Sequence, residues 1–99
     1  MAFSFLQDVP IPWEVYQHIR SQLGEKPPPG LVVHVVMETE TGLRYLDVWE
    51  SREAHQAFVE KTLHPAVDRG LTRAGLSRQR EPETRVVTVR EVWAGSGAV

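Results

Sequence analysis

Apolar and polar positions along this 99-residue chain change period several times, and each change marks an element. Residues 1–6 are apolar and aromatic, with Phe3 and Phe5 alternating with Ala2 and Ser4, which predicts a strand. Asp8, Pro10 and Pro12 interrupt it. Over 12–23 the period lengthens: Val15, Tyr16, Ile19 and Leu23 recur every three or four residues, predicting a helix with Pro12 in its first turn and Gly24 at its stop. The linker Glu25-Lys26-Pro27-Pro28-Pro29-Gly30 fixes φ and removes donors at three consecutive positions, so it predicts a stiff spacer.

Period two returns at 31–38. Leu31, Val33, Val35 and Met37 make one face, and Val32, His34 and Val36 the other. The next strand, from 42 or 43 to 49, puts Leu43, Tyr45, Asp47 and Trp49 on one face and Arg44, Leu46 and Val48 on the other. Gly42 supplies a tight turn, and two registers follow. A Thr41-Gly42 turn pairs His34 with Trp49 on a common face; a three-residue Glu40-Thr41-Gly42 loop sets Glu38 against Arg44 and turns His34 to the other side.

Ser51 is a good N-cap for a helix over 51–62 whose packing residues are Ala54, Phe58 and Val59, and Glu50 and Glu53 suit its positive end. Leu63-His64-Pro65 predicts a kink or restart, because the residue before a proline avoids the helical region. A short continuation over 65–74 packs Val67 and Leu71, and Gly75 closes it. Residues 77–83 are polar and irregular, 84–93 alternate as a fourth strand, and 95–99 have the composition of a disordered tail. One domain over 1–94 is expected.

The order β-α-β-β-α-β predicts an α+β, ferredoxin-like fold: a four-stranded antiparallel sheet with both helices on one face. The strands are apolar on both parities, so the uncovered face calls for a second layer. The simplest candidate is a second copy on a two-fold axis, in which Arg44 and Arg90 would form ion pairs. A domain of this size buries only about two-thirds of its unfolded surface, which also favours a homodimer.

Composition narrows the function. A formal charge of −2 with no block of Lys and Arg speaks against nucleic acid. No apolar run approaches the ~20 residues of a membrane span, and a cytoplasmic location is expected. The absence of cysteine excludes disulfides, zinc-thiolate sites and thiol catalysis. The four histidines lack ligand spacing, so no metal is expected, and no cofactor signature is present: there is no GxGxxG, P-loop or GxSxG motif.

The hairpin followed by Asp47-Val48-Trp49-Glu50-Ser51-Arg52-Glu53-Ala54 and then Phe58 resembles the dimeric α/β-barrel superfamily, in particular the antibiotic-biosynthesis-monooxygenase-like proteins. The resemblance implies a two-fold dimer whose sheets close into a barrel, with a small-molecule cleft between sheet and helices. It implies chemistry like that of cofactor-independent oxygenases of polycyclic phenols, haem-degrading enzymes or muconolactone isomerases. Trp49 matches a cleft tryptophan of the anthrone-oxidising members. Those proteins have an asparagine four residues before it and a tyrosine six after; here the positions hold Tyr45 and His55.

From the residues themselves, Asp47 draws attention because a carboxylate on a covered strand face is costly unless paired. A pocket that raises its pKa would make it a general base; the rival is an ion pair with Arg85 or Arg90. Asp47, His34 and His55 are therefore the candidate proton-moving groups, and Tyr45, Trp49, Phe58 and Trp13 the candidate ligand contacts. His34 is equally explained as a core or interface histidine, and Trp49 as a large core residue. Two functions compete: a cofactor-independent monooxygenase or isomerase of an aromatic or polyketide-like compound, and a non-catalytic ligand-binding or structural homodimer. Haem held by a histidine is a third. An enzyme needs open, partly polar volume beside Trp49, whereas the structural reading has Trp13, Tyr16 and Phe58 fill it.

Overall fold

The computed structural model describes residues 2–73, 75 and 83–95. Strands β1 (Phe3–Val9), β2 (Leu31–Thr39), β3 (Gly42–Trp49) and β4 (Thr84–Val87) form one antiparallel sheet in the order β2-β3-β1-β4. Helix α1 (Trp13–Arg20) joins the first two strands; α2 (Arg52–Phe58), a π turn (Val59–Leu63) and α3 (His64–Arg73) follow the third. This is the ferredoxin-like βαββαβ order. Of the stretches expected to be irregular or disordered, 76–82 and 96–99 lie outside the described residues.

Residues opposite one another in an antiparallel ladder share a face. Phe3, Phe5 and Gln7 stand opposite Trp49, Asp47 and Tyr45, and rings of the helices touch this side, Tyr16 against Tyr45 and Phe58 against Trp49. Leu6, Val33, Val35, Met37 and Leu46 point the other way, with Val35 and Met37 exposed. Between the helices, Val15, Ile19 and Leu71 form a core cluster with Ile11 and Val67 against it. Gly70 permits that approach: a Cβ there would lie 2.6 Å from Ile19 Cα.

Several boundaries differ from the sequence expectation. β1 runs on to Val9, which pairs with Leu43, and within this extension Asp8, opposite Arg44, accepts a two-pronged bond from its guanidinium: Nε to Oδ1 at 2.6 Å and Nη2 to Oδ2 at 3.1 Å. That bond holds the Asp8 carboxyl below its usual range. It also leaves Arg44 on an intrachain partner. α1 ends at Arg20 rather than 23, with Pro12 as its N-cap and the Arg20 guanidinium donating to the Gly24 carbonyl at 2.6 Å.

The hairpin takes neither expected register. Its turn is Glu40-Thr41, so Thr39 pairs with Gly42 and His34 with Asp47. Gly42 is a strand residue at φ +152°, and a Cβ there would strike the Val9 carbonyl oxygen and lie 3.0 Å from Pro10 Cα. The glycine is needed for that close approach rather than for the turn. Nearer the start of β2 the register slips by one between Leu31 and Val33. Leu31 therefore joins the helix side opposite Trp49, away from Val33, Val35 and Met37.

Ser51 caps α2 as expected, its hydroxyl accepting from the Ala54 amide at 3.1 Å. The kink or restart expected at 63–65 takes the form of a π turn, in which the His64 amide bonds back to the Val59 carbonyl, followed by a new α-helix from His64. Pro65 cannot sit in a regular helix without meeting the carbonyl four residues earlier, and the wider turn removes that clash. β4 stops at Val87 rather than 93. Val87 stands opposite Ser4 and the neighbouring strand ends one residue further on, so alternation beyond this point has no ladder to join. Trp93 is 93% exposed.

Candidate functional site

Alternation along β3 sends Tyr45, Asp47 and Trp49 to the helix side, where they meet two separate aromatic groups. Beneath α1, Tyr16 lies against both His34 and Tyr45, with ring centroids 6.2 and 5.7 Å apart, and Trp13 stacks on Tyr16 at 5.3 Å and 17°. Beneath α2, Trp49 contacts His55 at 5.2 Å and Phe58 at 5.3 Å, and His55 also meets Phe3 and Phe5. Asp47 joins the two groups. Its Oδ1 lies 2.5 Å from His34 Nδ1, and its Oδ2 accepts the Trp49 indole N–H at 3.1 Å.

The line continues through the imidazole. His34 Nε2 is 3.0 Å from the Tyr16 hydroxyl. With the carboxylate as acceptor, Nδ1 carries the hydrogen, and a neutral imidazole then offers Nε2 as acceptor to the Tyr16 O–H. Asp47 is buried, and its side-chain partners are a histidine and an indole rather than Arg85 or Arg90. No buried side-chain nitrogen or oxygen among the described residues lacks a partner. Burial raises the pKa of both phenols, and the Asp47 charge pushes each the same way; for Tyr45 the neighbouring Tyr16 adds to the rise. Both stay protonated at neutral pH.

His34, Asp47 and Tyr45 thus come together with Tyr16, and Asp47 also holds Trp49. His55 and Phe58 belong to the second group. His55 lines an open groove of about 700 Å³ with Phe3, Arg52, Val59, Leu63 and His64. The Arg52 guanidinium sits 4.5 Å above the Phe3 ring. Trp49, only 1% exposed, lies behind His55 and Phe58. Trp13 is 40% exposed. Among the described residues no three acidic or histidine side chains come close enough to hold a metal ion, and no helix is long and apolar enough to cross a membrane.

Tyr16 is the member that sequence reasoning passed over as helix packing. Its signal was faint: a phenol on the stripe that packs against the sheet. Only the register that aims His34 at α1 gives that hydroxyl a role.

The fold has a counterpart of known structure. A protein from Chloroflexus aurantiacus J-10-fl, described as a candidate antibiotic biosynthesis monooxygenase, superposes with a TM-score of 0.58 at 19% identity, over 98% of this chain and all of the other. The two chains share one fold. The resemblance read from the hairpin and the start of α2 therefore extends to the whole architecture. No family model matches the chain, and no curated protein does.

Proposed function

We propose that this chain binds a small planar phenolic or enolisable compound and that Tyr16, His34 and Asp47 remove a proton from it. The observation that carries this reading is the hydrogen-bonded line from phenol to imidazole to buried carboxylate. Well-packed apolar residues in the same space would be at least as stabilising as a buried ionisable pair, so stability alone is a poor account of it. A ligand hydroxyl at Tyr16 Oη would pass its proton to Tyr16 while Tyr16 passes its own to His34 Nε2, and Asp47 would balance the imidazolium.

The product is a phenolate or enolate. Reaction of that anion with dioxygen makes the protein a cofactor-independent monooxygenase, and reprotonation at carbon makes it an isomerase; the fold shared with a candidate monooxygenase supports the first. Trp13 and Tyr45 offer ring faces to the ligand, Trp49 and Phe58 back the site from the α2 side, and His55 lines the groove with Phe3 as a second proton-moving group. The apolar outer face of the sheet supports a homodimer.

One observation favours a non-catalytic homodimer instead. Trp49 is covered by His55 and Phe58, so a ligand reaches its indole only by displacing them. Deuterium exchange into 2-tetralone, an enolisable aryl ketone, separates the two readings. Exchange should run faster with the protein than in buffer, and Tyr16→Phe and His34→Gln should each remove most of a gain on the order of 10²–10⁴. Exchange at the buffer rate, with no change in tryptophan fluorescence on adding 1-naphthol, supports the non-catalytic reading.

A further inference from the structure

We propose that Tyr16 is a proton-coupled redox centre, with Trp13 as its electron contact at the surface and His34 as the acceptor of its proton. The proposal uses the same hydrogen-bonded line as the proton-removal reading, but it requires no ligand.

A phenol gives up an electron readily only when its hydroxyl proton leaves as well, because the oxidised phenol is a very strong acid. Three features around Tyr16 meet that condition. His34 Nε2 stands 3.0 Å from the hydroxyl, and the tautomer that donates Nδ1–H to the Asp47 carboxylate presents Nε2 as the acceptor. Tyr16 is 8% exposed, so bulk water is a poor competitor for the proton. The Trp13 indole stacks on the phenol at 5.3 Å while standing 40% exposed, which puts a redox-active ring between Tyr16 and anything docking at the surface.

The step balances as follows. An outer-sphere one-electron oxidant takes an electron from Trp13, and the indole radical cation takes one from Tyr16. The Tyr16 hydroxyl proton moves to His34 Nε2. The products are a neutral phenoxyl radical, an imidazolium beside the Asp47 carboxylate, an indole restored to its starting state and an oxidant reduced by one electron. No bond between heavy atoms forms or breaks, and return of an electron sends the proton back.

The chain has only two tyrosines, so the radical can be assigned. Tris(bipyridyl)ruthenium with methyl viologen as quencher would generate the oxidant by a light flash, in a Trp93→Phe background because that exposed indole competes for it. Transient absorption and freeze-quench EPR would then follow phenoxyl and indole radicals. The neutral phenoxyl should appear in the parent and in Tyr45→Phe, vanish in Tyr16→Phe, and form more slowly after Trp13→Phe. His34→Gln, checked for folding by circular dichroism, should slow its formation by about 100-fold, the scale of a lost positioned base. Phenoxyl persisting in Tyr16→Phe, or forming at the parent rate in His34→Gln, overturns the proposal. The flash experiment contains no ketone and the exchange experiment no oxidant, so either reading can fail alone.

Discussion

His34 and Asp47 are direct partners across the β2–β3 ladder, and their side chains meet at 2.5 Å from Nδ1 to Oδ1. The second carboxylate oxygen holds the Trp49 indole. One acidic group thus ties the α1-side aromatics to the α2-side aromatics, and this shared use makes its replacement informative.

Asp47→Asn should destabilise the fold by about 1–3 kcal/mol, since the amide replaces charge-assisted bonds with neutral ones and can keep the Trp49 N–H on its oxygen only by turning its NH₂ group to His34 Nδ1, which reverses the His34 tautomer and its bond to Tyr16. Urea unfolding measures the loss. If Asp47 also balances an imidazolium in catalysis, ketone exchange should fall in the same variant at concentrations where it remains folded. Unchanged stability would contradict the bonding described for this carboxylate.

Trp49→Ala should cost about 3–5 kcal/mol, because a fully covered indole is replaced by a cavity that His55 and Phe58 only partly fill. Trp49→Phe should cost clearly less. It keeps a ring between those neighbours and loses chiefly the N–H bond to Asp47. Equal losses for the two variants would mean that packing contributes little here.

Alkaline pH should lower the melting temperature through the two buried phenols. Both have folded-state pKa values above the ordinary one, so folding favours their protonated forms. Their contribution is complete below about pH 10, where the unfolded chain begins to ionise, and is lost as pH rises through the folded values. Tyr45→Phe should flatten this decline, as seen in thermal scans at rising pH.

Gly70→Ala should destabilise the α1–α3 contact by about 1–3 kcal/mol, since the added methyl meets Ile19 at its backbone, 2.6 Å from Cα and 2.8 Å from N, as well as at its side-chain Cγ1, 2.7 Å away. A smaller residue at 19 would not relieve a clash with Cα. Ile19→Ala removes only the Cγ1 contact, so chemical denaturation of Gly70→Ala alone and with Ile19→Ala should show at most a partial rescue.

The outer sheet face should make the protein a dimer. Val35 and Met37 are exposed there beside Leu6, Val33 and Leu46, a large apolar surface for a small chain. Sedimentation equilibrium should give about twice 11.2 kDa. Met37→Glu should shift the protein to monomer, and a monomeric parent would remove the case for a dimer.

What the sequence determined by itself followed from local geometry. Two-residue alternation requires Tyr45, Asp47 and Trp49 to share a face, three- and four-residue spacing requires Val15 and Ile19 to share a stripe, and Ser51 is suited to cap whichever helix follows it. Element order then led to the ferredoxin-like fold, which the sheet order bears out. Tertiary structure decided what touches what. Turns one residue apart differ little in local energy, yet each step moves His34 to a new partner, and the close approach of Val9 and Pro10 to Gly42 accompanies the Glu40-Thr41 turn. The Tyr16–His34 bond spans 18 residues and two elements, so no local pattern could register it. β4 likewise ends one residue short of its neighbour's end, because a strand needs a partner for its backbone groups however well its own side chains alternate.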